Sequence, residues 1–455
     1  MQLRWSDLGT SSANAVDGRE VVLAGWVAAG DTGHFLLMPE AICCGGCVPR
    51  DPSQVVEVFA AAPITRQQQA LRLAGRWRVQ TADGAIWRYQ LHDARTLDPP
   101  GRWGIGRRGV LTGGALFCAA GTAQASEDDA RRAIAATTAV DIHSHGGAIS
   151  GMRWVKTDAP LREVAGPMRA GGMAAVCFAI VSDSPCHRID ADHHIHPYRD
   201  PDPGELYAYG QRNFARVHRL VREQGLALIT NAAALRAARA GTASAIVAAE
   251  GADFLEGRPE RVDEAYEKWQ LRHLQLTHYR VNELGDIQTE VPVHGGLTDI
   301  GAAVIRRCNA RGLVVDVAHG TYDLVKRAAS VTTKPLALSH TSLSTNPGPR
   351  SRTISAEHAQ VIAGTGGVIG VWPPTSVYRD LDAMARGMAR LADLVGVDHV
   401  GLGTDMMGLT TTSVLPEYSY LPGLATALLD VGFNQQDVGK ILGGNYVRVF
   451  AASLA

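Results

Sequence analysis

The chemistry of this chain is concentrated in ionisable residues that terminate apolar runs. His143 and His145 end the run beginning Val140-Asp-Ile, Glu250 follows Ala245-Ile-Val-Ala-Ala249, and His278 comes just after His273-Leu-Gln-Leu276. His319 follows Leu313-Val-Val-Asp-Val317, His340 follows Leu336-Ala-Leu338, and Asp405 follows His399-Val-Gly-Leu402. Imidazoles and carboxylates are the donors that hold zinc-like cations, and a spare carboxylate beside them adds acid–base capacity. Any one of these histidines alone would read as an ordinary hydrogen-bonded core or rim residue. Burying all of them together without a cation would be costly, so jointly they predict a metal site.

The runs that carry them have the length and composition of strands. Together with Ala174-Ala-Val-Cys-Phe178 and Gly367-Val-Ile-Gly-Val371, they alternate with amphipathic helical stretches from Ala139 onward, the pattern of a parallel α/β fold. Eight such units over residues 137–455 predict a (β/α)8 TIM-type barrel, with a doubly wound sheet as the alternative. In a barrel, residues that follow the strands share the C-terminal rim, so the ionisable groups converge there.

Upstream, residues 1–98 hold short strand-like runs such as Arg19–Trp26 and Trp87–Leu91 separated by turn signals, which predicts a small β-rich N-terminal domain. Residues 99–136 are Gly- and Ala-rich and read as a linker. A length of 455 residues fits more than one domain, and 46% hydrophobic against 20% charged residues excludes a disordered chain. Lys+Arg 44 against Asp+Glu 45 leaves a net charge of −1, which argues against nucleic acid as a partner. No apolar run reaches the length of a transmembrane span. The seven cysteines are odd in number and scattered, which is no disulfide framework. Cys44-Gly-Gly-Cys47 lacks the second pair that a structural zinc site needs and reads as a turn. His193-His-Ile-His196, beside Asp190, Asp192 and Asp200, reads as a solvated polar loop.

Six motifs in order, VDIHSH at Val140–His145, AAEGADFL at Ala248–Leu255, LQLTHYRVNELGD at Leu274–Asp286, GLVVDVAH at Gly312–His319, PLALSHTS at Pro335–Ser342 and VGLGTD at Val400–Asp405, resemble the renal (membrane) dipeptidase family of zinc peptidases, within the amidohydrolase-like barrels. ILGGNYVRVF at Ile441–Phe450 is similar to the family's last helix, so the resemblance spans about residues 137–452. It implies a pair of zinc ions, with His143 and His145 on one, His319 and His340 on the other, and Glu250 between them. A water held by both metals would be the nucleophile. Asp405 matches the family's proton carrier and His278 the residue that polarises the scissile carbonyl. Arg352, in Pro349-Arg-Ser-Arg-Thr-Ile-Ser355, falls where the family grips the substrate carboxylate, with Arg350 as the competing candidate. The N-terminal region weakly resembles small bacterial exported proteins of unknown role.

Two departures from the family pattern stand out. The first motif usually reads His-x-Asp, whereas position 145 here is His. The usual Asp-Phe-Asp-Gly is Asp405-Met-Met-Gly408, which loses the second acid at Met407. The expected function is a zinc-dependent dipeptidase acting on a small peptide substrate. The alternatives are deacylation of an N-acyl amino acid and a catalytically silent barrel that binds a peptide or metal; a homodimer is left open as the assembly.

One segment falls outside this reading. Arg107-Arg108, a mildly apolar run and Ala123-Gln-Ala125 have the composition of a twin-arginine export signal, but lie in mid-chain, where an apolar linker helix is the equal alternative. A signal would imply an exported, periplasmic protein and a linker a cytoplasmic one. If it is a signal, residues 97–130 fused to a reporter exported only when folded will carry it out of the cytoplasm, and changing Arg107 and Arg108 to Lys will block this. Retention of the unmutated fusion would leave the linker.

Overall fold

The computed structural model describes Leu8 and residues 14–30, 34–38, 55–61, 71–79, 89–96, 125–149, 160–190, 194–348 and 350–454. The chain divides into two compact units, Met1–Ala120 and Gly121–Ala455. The signal-like residues 107–124, Cys43–Cys47 and His193 lie outside the described residues.

In the first unit, β1 (Glu20–Gly30), β2 (His34–Met38), β3 (Val56–Ala60), β4 (Leu71–Val79) and β5 (Tyr89–Thr96) close into a barrel in the order β1-β2-β3-β5-β4. The β3–β5 pair is parallel and the others are antiparallel. This is a five-stranded barrel of OB-fold type. Alternation in β4 shows why it closes: Leu73 and Trp77 are buried with Val21, Leu23, Val58, Tyr89 and Leu91, while Arg76 and Arg78 face outward.

The second unit begins with a helix, Glu127–Ala135, where the sequence reading placed linker. Ser126 and Asp129 form a capping box, and Ala130, Ala133 and Ile134 bury an apolar stripe in the unit's core. Its strands are β6 (Val140–Ser144), β7 (Ala175–Val181), a small hairpin β8–β9 (His187–Ile189 and Ile195–Pro197), β10 (Ala227–Leu228), β11 (Ser244–Glu250), β12 (Leu271–Gln275), β13 (Val314–Asp316), β14 (Leu336–Thr341), β15 (Val368–Val371) and β16 (Val400–Leu402). Eight of them run parallel in the order β6-β7-β11-β12-β13-β14-β15-β16, and β10 extends from β11. The ring is completed where Ser144 bridges Met406, with the His145 amide donating to Met406 O at 2.9 Å and the Asp405 amide to His143 O at 3.0 Å. All eight strands expected of a (β/α)8 barrel are present.

Successive residues of these strands belong to two different apolar clusters, as the period of a strand requires. Val176, Phe178, Val247, Ala249, Val315 and Leu338 share one cluster with the surrounding helices. Ile142, Cys177, Ala179, Ile246, Ala248, Val314, Ala337 and Val368 share the other with Tyr446, Val449 and Phe450 of the last helix, Asn445–Leu454. The His-rich tract expected as a loop is partly strand: His196 sits in β9 and meets Glu290 Oε1 through Nδ1 at 2.8 Å.

Within this ring Gly370 of β15 has no room for a side chain, since a Cβ there would fall 1.8 Å from Ser339 O and 2.7 Å from Ile142 Cδ1. A backbone carbonyl cannot swing aside, so Gly370→Ala should destabilise the barrel by about 1–3 kcal/mol. Urea unfolding of the full chain measures this, and an unchanged midpoint would contradict the packing.

Candidate metal centre

Glu250 ends β11 with its carboxylate buried at the rim, 2% exposed. Oε1 lies 3.4 Å from His143 Nε2, 3.2 Å from His319 Nε2 and 3.3 Å from His340 Nε2. Oε2 lies 3.1 Å from His145 Nε2 and 3.3 Å from His278 Nε2. Asp405 Oδ1 adds contacts of 3.4 Å to His145 and 3.9 Å to His143. The structure thus brings together all the residues that sequence placed at strand ends. Among the described residues four triads of donor atoms lie close enough to hold an ion, three of them in this cluster: His143/His145/Asp405, His143/Glu250/His340 and Glu250/His278/His319. Asp405 therefore sits beside the cluster at ligand range.

The ring nitrogens are poised for a cation. His145 donates Nδ1–H to Ala179 O at 2.7 Å, which leaves the Nε2 lone pair facing two carboxylates. His143 Nε2 and His145 Nε2 are buried and have no hydrogen-bond partner in the protein. His319 Nε2 and His340 Nε2 are 3.0 Å apart, near enough to share one ion. Burial disfavours a charge on His145, yet Asp405 and Glu250 raise its pKa to about 10. The site therefore demands positive charge at this spot. Burial, with the His143 charge next, presses His340 down to about 3, and burial, with Arg352 next, holds His319 well below its usual value. Both are thus neutral, the form in which histidine binds metal. Glu250 stays ionised: the charges of His278 and His143 outweigh the upward pull of burial. These donors fit divalent cations.

Buried acids that the sequence reading passed over fix the rings. Asp141 accepts from the His143 amide, from the Thr404 amide and hydroxyl, and from Tyr418 OH, so it ties β6 to the end of β16. Burial lifts its carboxyl to about 6 against those donors. Asp316 accepts from the amides of Ala318 and Ser339, tying β13 to β14, and meets His273 Nε2 at 3.1 Å. Ser339 Oγ lies 2.9 Å from His340 Nδ1 and 3.3 Å from His143 Nδ1. His319 and Asp405 hold left-handed backbone with φ of 67° and 49°, a conformation non-glycine residues enter only where the surroundings impose it. Gly408 makes room for Asp405 and His145: a Cβ there would fall 2.0 Å from Asp405 Oδ1 and 2.6 Å from His145 Cδ2.

A cleft over the cluster is lined by Tyr279, Trp372, Arg352 and Gly408 together with His145, His278 and Asp405. Arg352 donates to Gln288 Oε1 at 2.6 Å and more weakly to His340 O, its guanidinium 5.5 Å from the Trp372 ring centre, and its buried Nε has no partner. Arg350 is exposed and takes no part in this cleft.

A ring of imidazoles and carboxylates on the C-terminal rim of a parallel eight-stranded barrel defines a metal-binding barrel of the amidohydrolase type. The profile of the membrane dipeptidase family (peptidase family M19) matches residues 158–454, and the chain belongs to that family. The match begins after His143 and His145, so it is the fold that brings this pair to the site. Dipeptidase aclJ of Aspergillus oryzae is 31% identical over 218 residues, 46% of this chain and 51% of that protein. Dipeptidase verJ of Clonostachys rogersoniana is 27% identical over 218 residues, 46% of this chain and 55% of that one. The chain spans about half the length of these curated relatives. The barrel fold recurs in the probable dipeptidase PvdM from Pseudomonas aeruginosa, with a TM-score of 0.60, 15% identity, and 72% of this chain and 98% of that one covered. It recurs in a metallopeptidase from Rhodobacter sphaeroides liganded with a phosphinate mimic of the dipeptide L-Ala-D-Ala, with a TM-score of 0.58, 19% identity, and 70% and 99% covered.

The Glu250 carboxylate touches both halves of the cluster, His143 and His145 as well as His319 and His340. Glu250→Gln, with one oxygen replaced by a donor, should lose bound metal as read by elemental analysis of the purified protein. Full metal content in that variant would overturn the bridging role.

Proposed function

We propose that the barrel is a zinc-dependent dipeptidase, holding two divalent ions through His143 and His145 on one side, His319 and His340 on the other, and Glu250 between them. The observation that carries this reading is a half-buried guanidinium, Arg352, with its Nε buried and unpartnered, in the wall of the cleft that holds the imidazole–carboxylate cluster. When bound, such cations acidify water and polarise a carbonyl. The chain's own groups supply the rest. Asp405 takes the proton of the attacking water and returns it to the departing amine as the C–N bond breaks. His278 directs Nε2 into the cleft, where it donates to the oxygen of the scissile carbonyl as negative charge grows there. Arg352 pairs with the free carboxylate of the substrate, for which its planar fork is suited. Tyr279 and Trp372 narrow the cleft around the chain between these points.

His145 in place of the family's Asp leaves the ligand set with one carboxylate fewer. The ion it touches is therefore held with less compensating charge, and Asp405 at 3.4 Å is the acid placed to offset this. A panel of L,L- and L,D-dipeptides offered with metal analysis tests the reading. Hydrolysis of N-acyl amino acids with no cleavage of any dipeptide would move the assignment to deacylation.

A dipeptide carries its carboxylate at a fixed distance from its only peptide bond, so one cation in the wall restricts the site to short substrates. A charge-assisted hydrogen bond of this kind is worth about 1.5–3 kcal/mol, so Arg352→Ala should lower kcat/KM on free dipeptides roughly ten- to a hundredfold. A dipeptide amide should already be poor and lose little more, metal content should stay unchanged, and Arg350→Ala should be close to wild type. Equal losses on dipeptide and amide would show that Arg352 does something other than read the carboxylate.

A further inference from the structure

His278 faces the cluster with Nε2, and its other nitrogen is not free. Asp183, which follows β7 and is 0% exposed, accepts the Nδ1–H of His278 through Oδ1 at 2.7 Å. Its second oxygen accepts the Tyr279 amide at 3.0 Å, so the carboxylate cannot swing away from the ring. His187, at the start of β8 and 3% exposed, places Nε2 at 3.4 Å from the same Oδ1, with its ring 5.6 Å from that of His278. The loop carrying Asp183 is stitched to the strand carrying Glu250. The Ser182 amide donates to Glu250 O at 3.1 Å, and Ser182 Oγ donates to Gly251 O at 2.6 Å and accepts from the Asp253 amide at 3.1 Å. Asp183 lies two residues beyond Val181, the register partner of Glu250, and the two carboxylates grip the two nitrogens of one imidazole.

We propose that Asp183 is a positioning residue for the reaction: it accepts the hydrogen bond of the His278 Nδ1–H, fixes the ring, and keeps Nε2 turned to the scissile carbonyl as a donor. This rests on the dipeptidase reading above. An imidazole held at only one nitrogen can flip about its Cβ–Cγ bond and exchange the atom it presents. A carboxylate on the far nitrogen removes that freedom and stabilises the imidazolium when the oxyanion draws on its Nε2–H. Two buried carboxylates stand close together here, and the charge is divided between them. Burial, then the neighbouring Asp183 charge, pushes Asp253 up to about 7, while the charges of His278 and His187 outweigh burial at Asp183 and hold it well below the usual range. Asp183 is thus the member that stays ionised behind the ring. Arg280 and Asn282 cover Asp253 at 2.8 and 3.1 Å and leave the Asp183–His278 contact alone.

Asp183→Asn in the metal-loaded full-length protein tests this, because the amide keeps the size and removes the charge. On an L,L-dipeptide kcat should fall roughly ten- to a hundredfold, the range for losing a partner that orients a site imidazole, while KM and metal content stay unchanged. A second measurement does not depend on Asp183→Asn folding: imidazole nitrogen NMR of the unmodified protein, assigned with His278→Gln, should show His278 protonated at Nδ1. A kcat equal to wild type in Asp183→Asn, or an unprotonated Nδ1 in the wild-type protein, would overturn the proposal. If the unmodified protein cleaves no dipeptide, the dipeptidase reading falls instead, and the NMR result still decides the role of Asp183.

Discussion

One buried negative charge organises this barrel. The Glu250 carboxylate meets five imidazoles at 3.1–3.4 Å, delivered by four strand ends of the rim. An isolated carboxylate at such depth would be expelled or neutralised. Here the surrounding nitrogens hold it ionised, and the orphaned Nε2 atoms of His143 and His145 mark where further positive charge belongs. The cluster is thus costly by itself and completed by cations, which is the usual relation between a metal protein and its metal.

What keeps the rings in place is a second layer of acids, each set behind a histidine. Asp141 holds the His143 amide, Asp316 holds the amides of Ala318 and Ser339, and Asp183 holds the His278 ring. The first two hold amides of neighbouring strands and so join them, while the third also holds a ring of the cluster. The same residue type therefore ties strands together in two places and faces a cluster imidazole in one.

Much of this was legible because a parallel barrel turns a one-dimensional rule, the polar residue after an apolar run, into a three-dimensional one. Glu250, His278, His319, His340 and Asp405 all obey it. Asp183 obeys it too, but the second run was read as ending at Phe178, whereas the strand continues to Val181, so the residue behind it went unnoticed. Asp141 and Asp316 stood inside recognised motifs, yet spacing cannot tell an acid that binds amides from one inside a strand by chance. Arg350 and Arg352 are two residues apart, and only tertiary packing against Trp372 and Gln288 separates them. The helix Glu127–Ala135 carried its capping signal in plain view at Ser126 and Asp129, but the Gly- and Ala-rich surroundings masked it. In the N-terminal unit, alternation announced strands but not the parallel β3–β5 pair that closes them into a barrel.

The seam at which the ring closes has a consequence for how such a protein is made. Ser144 and Met406 meet across it, with His143 and His145 on one lip and Asp405 on the other. These lips belong to the first and eighth strands of the barrel, so the cluster stays incomplete until nearly all of its strands have left the ribosome. A metal held by these groups would arrive after that point, and it would act as a clasp across the longest loop that the barrel has to close, where a crosslink removes the most freedom from the unfolded chain. Loading such a metal and locking the barrel would then be a single event.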